Sequence, residues 1–207
     1  MFGSSDLGDL ARETRVVYEA HGAAFDRQRP RQLHEKKWLD RFASLLPERA
    51  LVLDAGCGAG EPIISYLIGK GFDVEGLDFA ESMLRIARDR FPSRVFHLAD
   101  MSTMQLEAAY DGIIAWNSFF HLTRENQRQA LSRFAAHMKP GGVLMLTVGP
   151  EDGEVVGHVN GVEVYHASLS PQAYREHLAR LAIEVIDFVA EDPECDKQTV
   201  LIGQKAH

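Results

Sequence analysis

The chain is short of several things that would otherwise decide its class. It has only two cysteines, Cys57 and Cys195, in 207 residues. That is too few for a disulfide framework, so a reducing cytoplasm is the expected home. No apolar run approaches the roughly 18 residues of a membrane-crossing helix. Met1–Leu10 carries two aspartates and no basic cluster ahead of an apolar stretch, so no signal peptide is expected either. Basic residues are in deficit: 22 Lys and Arg stand against 30 Asp and Glu, a formal net charge of −8. Nucleic-acid binders show a basic surplus or stripe, and this chain shows neither. The one basic concentration, Arg27, Arg29, Arg31, Lys36 and Lys37, alternates with Glu35 and Asp40 and reads as a solvated helix face. The nine histidines show no metal spacing, no His-Glu-x-x-His occurs and the cysteines are not paired, so no metal is expected.

What remains is ordinary globular composition. Apolar residues make up 45% of the chain, enough to bury a core without staples. The length fits a single domain with no repeat and no Gly-, Ser- or Pro-rich linker. Three parts are expected within it: helices over 1–47, a ligand-binding core over 48–150, and a hairpin, helix and edge strands over 151–207. Leu7, Leu10, Thr14, Val17, Tyr18, His21 and Phe25 recur at steps of three and four, one face of a helix. Trp38, Leu39, Phe42, Leu45 and Leu46 do the same between Pro30 and Pro47.

From residue 50 onward short apolar runs alternate with helical patterns. Strands are expected at 50–54, 72–78, 94–100, 110–117 and 143–148. Helices are expected at 61–70, around Met83–Phe91 and at 123–139, the last broken by Pro140-Gly141-Gly142. Such alternation implies an α/β fold: a mostly parallel sheet with helices on both faces. In the last quarter Asn160-Gly161 between valine-rich runs is a hairpin signal. Ser170-Pro171 reads as the cap and first residue of a helix. The runs 183–189 and 199–202, joined by the polar stretch 191–198, read as antiparallel strands at the sheet edge.

Ligands bind outside the carboxyl ends of such a sheet. Three strands in succession end there in an acid, Asp54, Asp78 and Asp100. One such Asp would be a turn or a cap. Three of them, with Gly56-Cys57-Gly58-Ala59-Gly60 after the first, point to a ligand. Glycines let a ligand approach backbone amides, and an acid about 20 residues on suits a ribose diol. The spacing is not that of a dinucleotide fingerprint. Glu61 puts a negative charge, and Pro62 removes a donor, where a pyrophosphate would sit. A ribose ligand with an ammonium group and no phosphate fits best, and S-adenosylmethionine is the candidate.

The segments Val52–Gly60, Gly76–Met83, Ala99–Met101, Tyr110–Asn117 and Met138–Gly142, in this order and spacing, resemble the class I (Rossmann-like) S-adenosylmethionine-dependent methyltransferases, those acting on small molecules in particular. The resemblance covers about 48–148 well and the flanks loosely. It implies a three-layer Rossmann-like sandwich with a mostly parallel seven-stranded sheet and an antiparallel edge hairpin. It implies S-adenosylmethionine as cofactor and S-adenosylhomocysteine as product. It places Asp54 and the loop backbone of Gly56, Cys57 and Gly58 at the methionine part, and Asp78 at the ribose. Phe79 and Met83 would pack on the adenine, Asp100 would sit at its amine and Met101 beside the ring. Asn117 would face the methyl donor, and Tyr18 would belong to an N-terminal lid. The chain departs from the family's pattern at Glu61-Pro62 and at Ala80, where a Ser-like helix cap is expected.

The acceptor side carries no motif. Trp116–Leu122 leaves the fourth strand where a methyl group would point, and His121 is either bonded to backbone or a base or orienter. One of Phe119 and Phe120 belongs to the core. Closing residues would come from Tyr18, Phe25 and Arg27, from His158, Tyr165 and His166, and from Asp192 and Cys195. Among these Tyr165 and His166, together with His121 and Asn117, are the expected catalytic group. The expected partner is a small molecule, with neither nucleic acid nor membrane, for a monomer or homodimer. Two other readings stand beside methyl transfer. One is a nicotinamide-dependent oxidoreductase, although none of the five tyrosines has Lys four residues later. The other is a cofactor-binding module without activity.

Overall fold

A computed structural model describes residues 10, 11, 13, 14, 16–20, 22, 26, 27, 32–159 and 161–207. Leu7, His21, Phe25, Arg29, Pro30, Arg31 and Asn160 lie outside the described residues. Helical backbone runs through 10, 11, 13, 14 and 16–20, the stretch that holds Thr14 and Tyr18.

Seven strands form one sheet: β1 (Leu51–Ala55), β2 (Asp73–Asp78), β3 (Phe96–Leu98), β4 (Tyr110–Ala115), β5 (Met138–Val148), β8 (Ile183–Asp192) and β9 (Gln198–Lys205). Their order is β3-β2-β1-β4-β5-β9-β8. The first five run parallel, and β9 and β8 complete the edge antiparallel. The strands nearest the centre are continuous apolar runs because both faces are covered: Ile113, Ile114 and Ala115 of β4 and Val143–Leu146 of β5 are fully buried.

Helices α1 (Lys36–Ser44), α2 (Ile63–Gly69) and α3 (Glu81–Arg90) cover one face through Trp38, Leu39, Phe42, Ile64, Leu67 and Leu84. Helices α4 (Arg124–His137) and α5 (Pro171–Arg180) cover the other through Leu131, Phe134, Tyr174 and Leu178. The result is the expected three-layer sandwich. A second sheet, β6 (Gly153–Val159) with β7 (Val162–Ser168), is the hairpin signalled by Asn160-Gly161, its register closing at Val159 and Val162. No helix among the described residues is long and apolar enough to cross a membrane.

Several boundaries differ from the sequence reading. Strand β5 starts at Met138, immediately after α4, and carries Pro140-Gly141-Gly142 within it, where the pairing with β4 shifts register between Tyr110 and Gly112. Strands β8 and β9 are longer than their apolar runs, because ladder bonds extend pairing into polar residues as far as Asp192 and Gln198. Helix α3 starts after Ala80, which has no capping side chain. Asp78 Oδ1 accepts the Ala80 amide instead (2.9 Å), and the Glu19 carboxylate accepts the Ser82 amide at 3.2 Å. Thr123 and Ser170 cap α4 and α5 through the amides of Asn126 and Ala173.

One buried polar knot joins the second sheet to α4. Tyr174 Oη donates to Gln127 Oε1 (2.7 Å) and accepts the Leu169 amide (3.2 Å). Gln127 Nε2 donates to the carbonyls of Ala167 (2.8 Å) and Leu122 (3.2 Å). Both side chains are fully buried. Tyr174→Phe leaves Gln127 Oε1 and the Leu169 amide without this partner, which costs about 1–3 kcal/mol. Urea unfolding is expected to show a lower midpoint at unchanged m-value. A midpoint equal to wild type would mean that the knot does not hold the two elements together.

Candidate active site

The chain crosses from β3 back to β4, so β2 and β3 lie on one side of β1 and β4 and β5 on the other. Loops leaving β1 and β4 therefore diverge, and an open α/β sheet forms its crevice at that point. A cavity of about 680 Å³ lies here, within the range of small-molecule sites. Gly56, Gly58, Asp78, Phe79, Met83, Ala99, Asp100 and Met101 line one part of it. Trp116, Asn117, Ser118, His121 and Asn126 line the part beyond β4. Thr14 and Tyr18 reach it from the N-terminal helix, and Gln32, His34, Glu35, Cys195, Asp196 and Gln198 complete the wall.

The glycine loop works differently from the expectation that its amides face a ligand. The amides of Gly56 and Cys57 donate to the Leu77 carbonyl (2.6 and 3.0 Å), and that of Gly60 to the Cys57 carbonyl (2.9 Å). The Gly58 amide donates to Asp78 Oδ2 at 2.8 Å. These four amides are engaged within the protein, so the loop offers no cradle for a pyrophosphate. Glycine is needed here for shape. Gly56 and Gly58 have φ of +80° and +53°, and a Cβ would come within 2.3 Å of Ser118 Cβ and 2.9 Å of Met83 Cε.

Asp78 is buried, lines the cavity, and accepts one loop amide on each oxygen. Burial pushes its carboxyl above the ordinary carboxylate range, against the opposing pull of the Ala80, Gly58 and Phe79 amides. Each oxygen keeps a second lone pair, so the group still has capacity for hydroxyl donors. Asp100 lines the same part, with Oδ1 accepting both the amide and the hydroxyl of Ser102 (2.8 and 2.6 Å).

At the end of β4, Asn117 has φ of +52°, a conformation Asn tolerates, and its amide donates to Thr147 Oγ1 at 2.7 Å. The turn Phe119–His121 follows. Phe119 is fully buried core, while the Phe120 ring lies 4.7 Å from His166 and 4.9 Å from His121. His121 Nδ1 meets the Tyr165 carbonyl at 3.0 Å. A carbonyl only accepts, so Nδ1 carries the proton. Burial, with His166 nearby, lowers the His121 pKa to about 4 despite that carbonyl bond, so the ring is neutral at pH 7. Its Nε2 lone pair accordingly accepts the Tyr18 hydroxyl at 2.9 Å. Thr14 Oγ1 accepts the Tyr165 amide at 2.9 Å. The N-terminal helix is thus fastened to β7 and to the turn after β4.

The structure brings Gly56, Gly58, Asp78, Phe79, Met83, Asp100, Met101, Asn117, His121 and Tyr18 to one cavity. Asp54 is buried at the end of β1 and is not among the wall residues. Cys57 is buried in the core beside Gly76, where its small side chain fits. Tyr165 and His166 are not wall residues either. The Tyr165 hydroxyl donates to Glu154, and what Tyr165 offers the site is its carbonyl on His121. His158 and Arg27 are exposed, and Asp192 is buried against Trp38 Nε1 (2.8 Å). Cys195 does line the cavity. Gln32, His34, Glu35, Asn126, Asp196 and Gln198 were not singled out from the sequence, since no spacing marks them. Glu35 stands as a correction: read as part of a solvated charged face, it is 7% exposed and faces the cavity. Among the described residues no group of three or more His, Cys, Asp or Glu is placed to hold a metal ion.

This floor, with its wound glycine loop and with Asp78 and Asp100 lining it, lies in the crevice of a Rossmann-like sheet. Residues 52–142 match the methyltransferase domain family. A dTDP-3-amino-3,4,6-trideoxy-alpha-D-glucopyranose N,N-dimethyltransferase of Streptomyces venezuelae is 33% identical over 109 residues, 52% of this chain and 46% of that protein. A trans-aconitate 2-methyltransferase of Variovorax paradoxus is 34% identical over 116 residues, 55% of this chain and 43% of that protein. The matched stretch thus takes in less than half the length of these relatives. Among solved structures, the S-adenosylmethionine-bound amino pentose methyltransferase CalS10 of Micromonospora echinaspora shares the fold. Its TM-score is 0.70 at 22% identity, covering 92% of this chain and 97% of that one. A 1,6-didemethyltoxoflavin-N1-methyltransferase of Burkholderia thailandensis gives 0.73 at 18% identity, covering 100% and 92%. Over residues 52–142 the chain is similar to the methyltransferase domain family, and its fold is the Rossmann-like fold of these methyltransferase structures.

The neutral, buried His121 makes a pH prediction. Its pKa of about 4 lies below its ordinary value of 6.5, so between these values the unfolded chain binds a proton that the folded one does not. Stability is expected to fall as pH drops from 6.5 to 4, by up to about 3 kcal/mol from this group. His121→Gln should flatten that part of the profile in urea titrations at successive pH. Parallel profiles for variant and wild type would show that His121 is not held neutral by burial.

Proposed function

We propose that the chain binds S-adenosylmethionine in this cavity and directs methyl transfer to a small-molecule acceptor. What carries this reading is the chemistry of the floor. A buried carboxylate, Asp78, faces the cavity at the end of β2, beside a glycine loop whose amides are engaged within the protein. That combination suits a ribose and disfavours a phosphate. Asp78 would accept the ribose hydroxyls, Phe79, Met83 and Met101 would give the adenine apolar walls, and Asp100 would stand at its amine. The methionine end would pass Gly56 and Gly58 toward Asn117. When bound, the cofactor supplies a methyl group on a positively charged sulfur, already activated toward displacement. The protein's own work is then to orient, to exclude water and to manage the acceptor's proton.

Tyr18 and His121 fit the orienting role. The hydroxyl of Tyr18 is aimed by His121 Nε2, and Tyr18 also stands edge-on to Phe79, with ring centroids 6.3 Å apart. A side chain so placed covers adenosyl and acceptor parts together. His121, with a pKa of about 4, does not retain a proton at neutral pH. With its proton held by His121, the Tyr18 oxygen would accept a hydrogen bond from the substrate rather than store its proton.

Isothermal titration of the purified chain with S-adenosylhomocysteine tests the reading. Micromolar binding is expected, with affinity at least about tenfold lower in Asp78→Asn, the loss of roughly one charge-assisted hydrogen bond. NADH should give no heat. A folded wild-type protein that takes NADH and ignores S-adenosylhomocysteine would overturn the proposal.

A further inference from the structure

The cavity has two chemically different ends. At one lies Asp78, the ribose group of the proposed function. The other is set by β9. Val148 pairs with Thr199, so Gln198 and the β8–β9 loop with Cys195 and Asp196 sit at the carboxyl end of β5. Four strand spacings separate β2 from β9, roughly 19 Å. The second end therefore lies well away from the adenosine floor.

That end is acidic. Glu35 is 7% exposed and lines the cavity, and its carboxylate has no hydrogen-bond or ion-pair partner among the described residues. It precedes α1 but makes no side-chain cap bond. Asp196 lines the same end, its carboxylate 3.7 Å from His34 Nδ1, and His34 Nε2 meets Gln32 Oε1 at 3.2 Å. The nearby cation Lys37 is paired with Asp192 (3.1 Å) and Glu194 (2.7 Å). The field is felt on Cys195, whose thiol is pushed up to about 11 by burial and by Asp192, Glu35 and Asp196. The Glu35 carboxylate lines the cavity while the rest of the side chain is buried, so it is open to a cation that enters there.

We propose that Glu35, assisted by Asp196, recognises a protonated amine, so that the acceptor is a cationic small molecule rather than a carboxylic acid. The inference rests on the methyl-transfer reading and names its substrate class. The cofactor also carries an ammonium group, but with a carboxylate on the same carbon that two acids would repel, whereas an amine acceptor brings net positive charge.

The test is titration of the full chain, saturated with S-adenosylhomocysteine, with two probes of like shape and opposite charge, cyclohexylamine and cyclohexanecarboxylate. The amine is expected to bind at least about tenfold more tightly. Glu35→Gln should lower amine affinity at least about tenfold and leave S-adenosylhomocysteine affinity within about threefold. Asp196→Asn, at an exposed side chain, should lower amine affinity about threefold or more. It stands in if Glu35→Gln melts early. Equal binding of the two probes, or amine affinity unchanged in the variants that fold, would overturn the proposal. So would a Glu35→Gln loss confined to S-adenosylhomocysteine, because the carboxylate would then serve the cofactor. Failure of the wild type to bind S-adenosylhomocysteine appears before any amine is added, and it defeats the methyl-transfer reading instead.

Discussion

The carboxylate of Asp78 fastens together the two turns that make the cavity floor. One oxygen holds the Gly58 amide of the loop after β1, and the other holds the Ala80 amide at the start of α3. Ala80 has no capping side chain, and Gly58 sits at positive φ, so neither turn is fixed by its own residues. A hydrogen bond to an ionised acceptor is worth more than a neutral one, and more again away from water. These bonds oppose, without cancelling, the desolvation that pushes the carboxyl upward. The same group that shapes the floor is therefore its cavity-facing charge. On the proposed function, structure and binding are not separable at this position.

A second fastening sets the opposite wall. Helix α5 packs Tyr174 against Gln127, Gln127 grips the carbonyls of Ala167 and Leu122, and the turn Phe119–His121 is held between them. His121 in turn grips β7 through the Tyr165 carbonyl and receives Tyr18. Since Thr14 bonds the Tyr165 amide, one backbone unit of β7 anchors both a site histidine and the covering helix. Loss of the helix would expose the His121 lone pair to water and reopen its ionisation, so cover and electrostatics change together.

These dependences explain which parts of the site were legible in the sequence. Strands β1 and β4, the turn at Asn160-Gly161 and the start of α5 at Ser170-Pro171 are dictated by near neighbours, and local pattern suffices to place them. Asp78, Asp100 and the glycine loop were legible because strand ends are fixed by the topology. The direction of the loop amides was not, because it depends on the Leu77 carbonyl and the Asp78 carboxylate arriving from another strand. The sequence marks Tyr165 by its ring, whereas the fold uses its carbonyl and amide, a role indifferent to residue type. Glu35 is masked in the sequence by its company: Lys36 and Lys37, the first two residues of α1, are exposed, and only the return of the β8–β9 loop brings Cys195 and Asp196 to the same cavity wall as Glu35.

That return decides the cavity's charge. An antiparallel β9 inserted between β5 and β8 brings its first residues back to the carboxyl edge, where a sixth parallel strand would have delivered its last. The loop so delivered carries Asp192, Glu194 and Asp196 within five residues. Two of these are neutralised in part by Lys37 from α1, which leaves Glu35 lining the cavity and Asp196 at its exposed rim beside His34. The floor residues carry nothing that distinguishes an acid from an amine as acceptor. That discrimination falls to the far wall, whose carboxylates, on the proposal above, repel an acid and attract an amine.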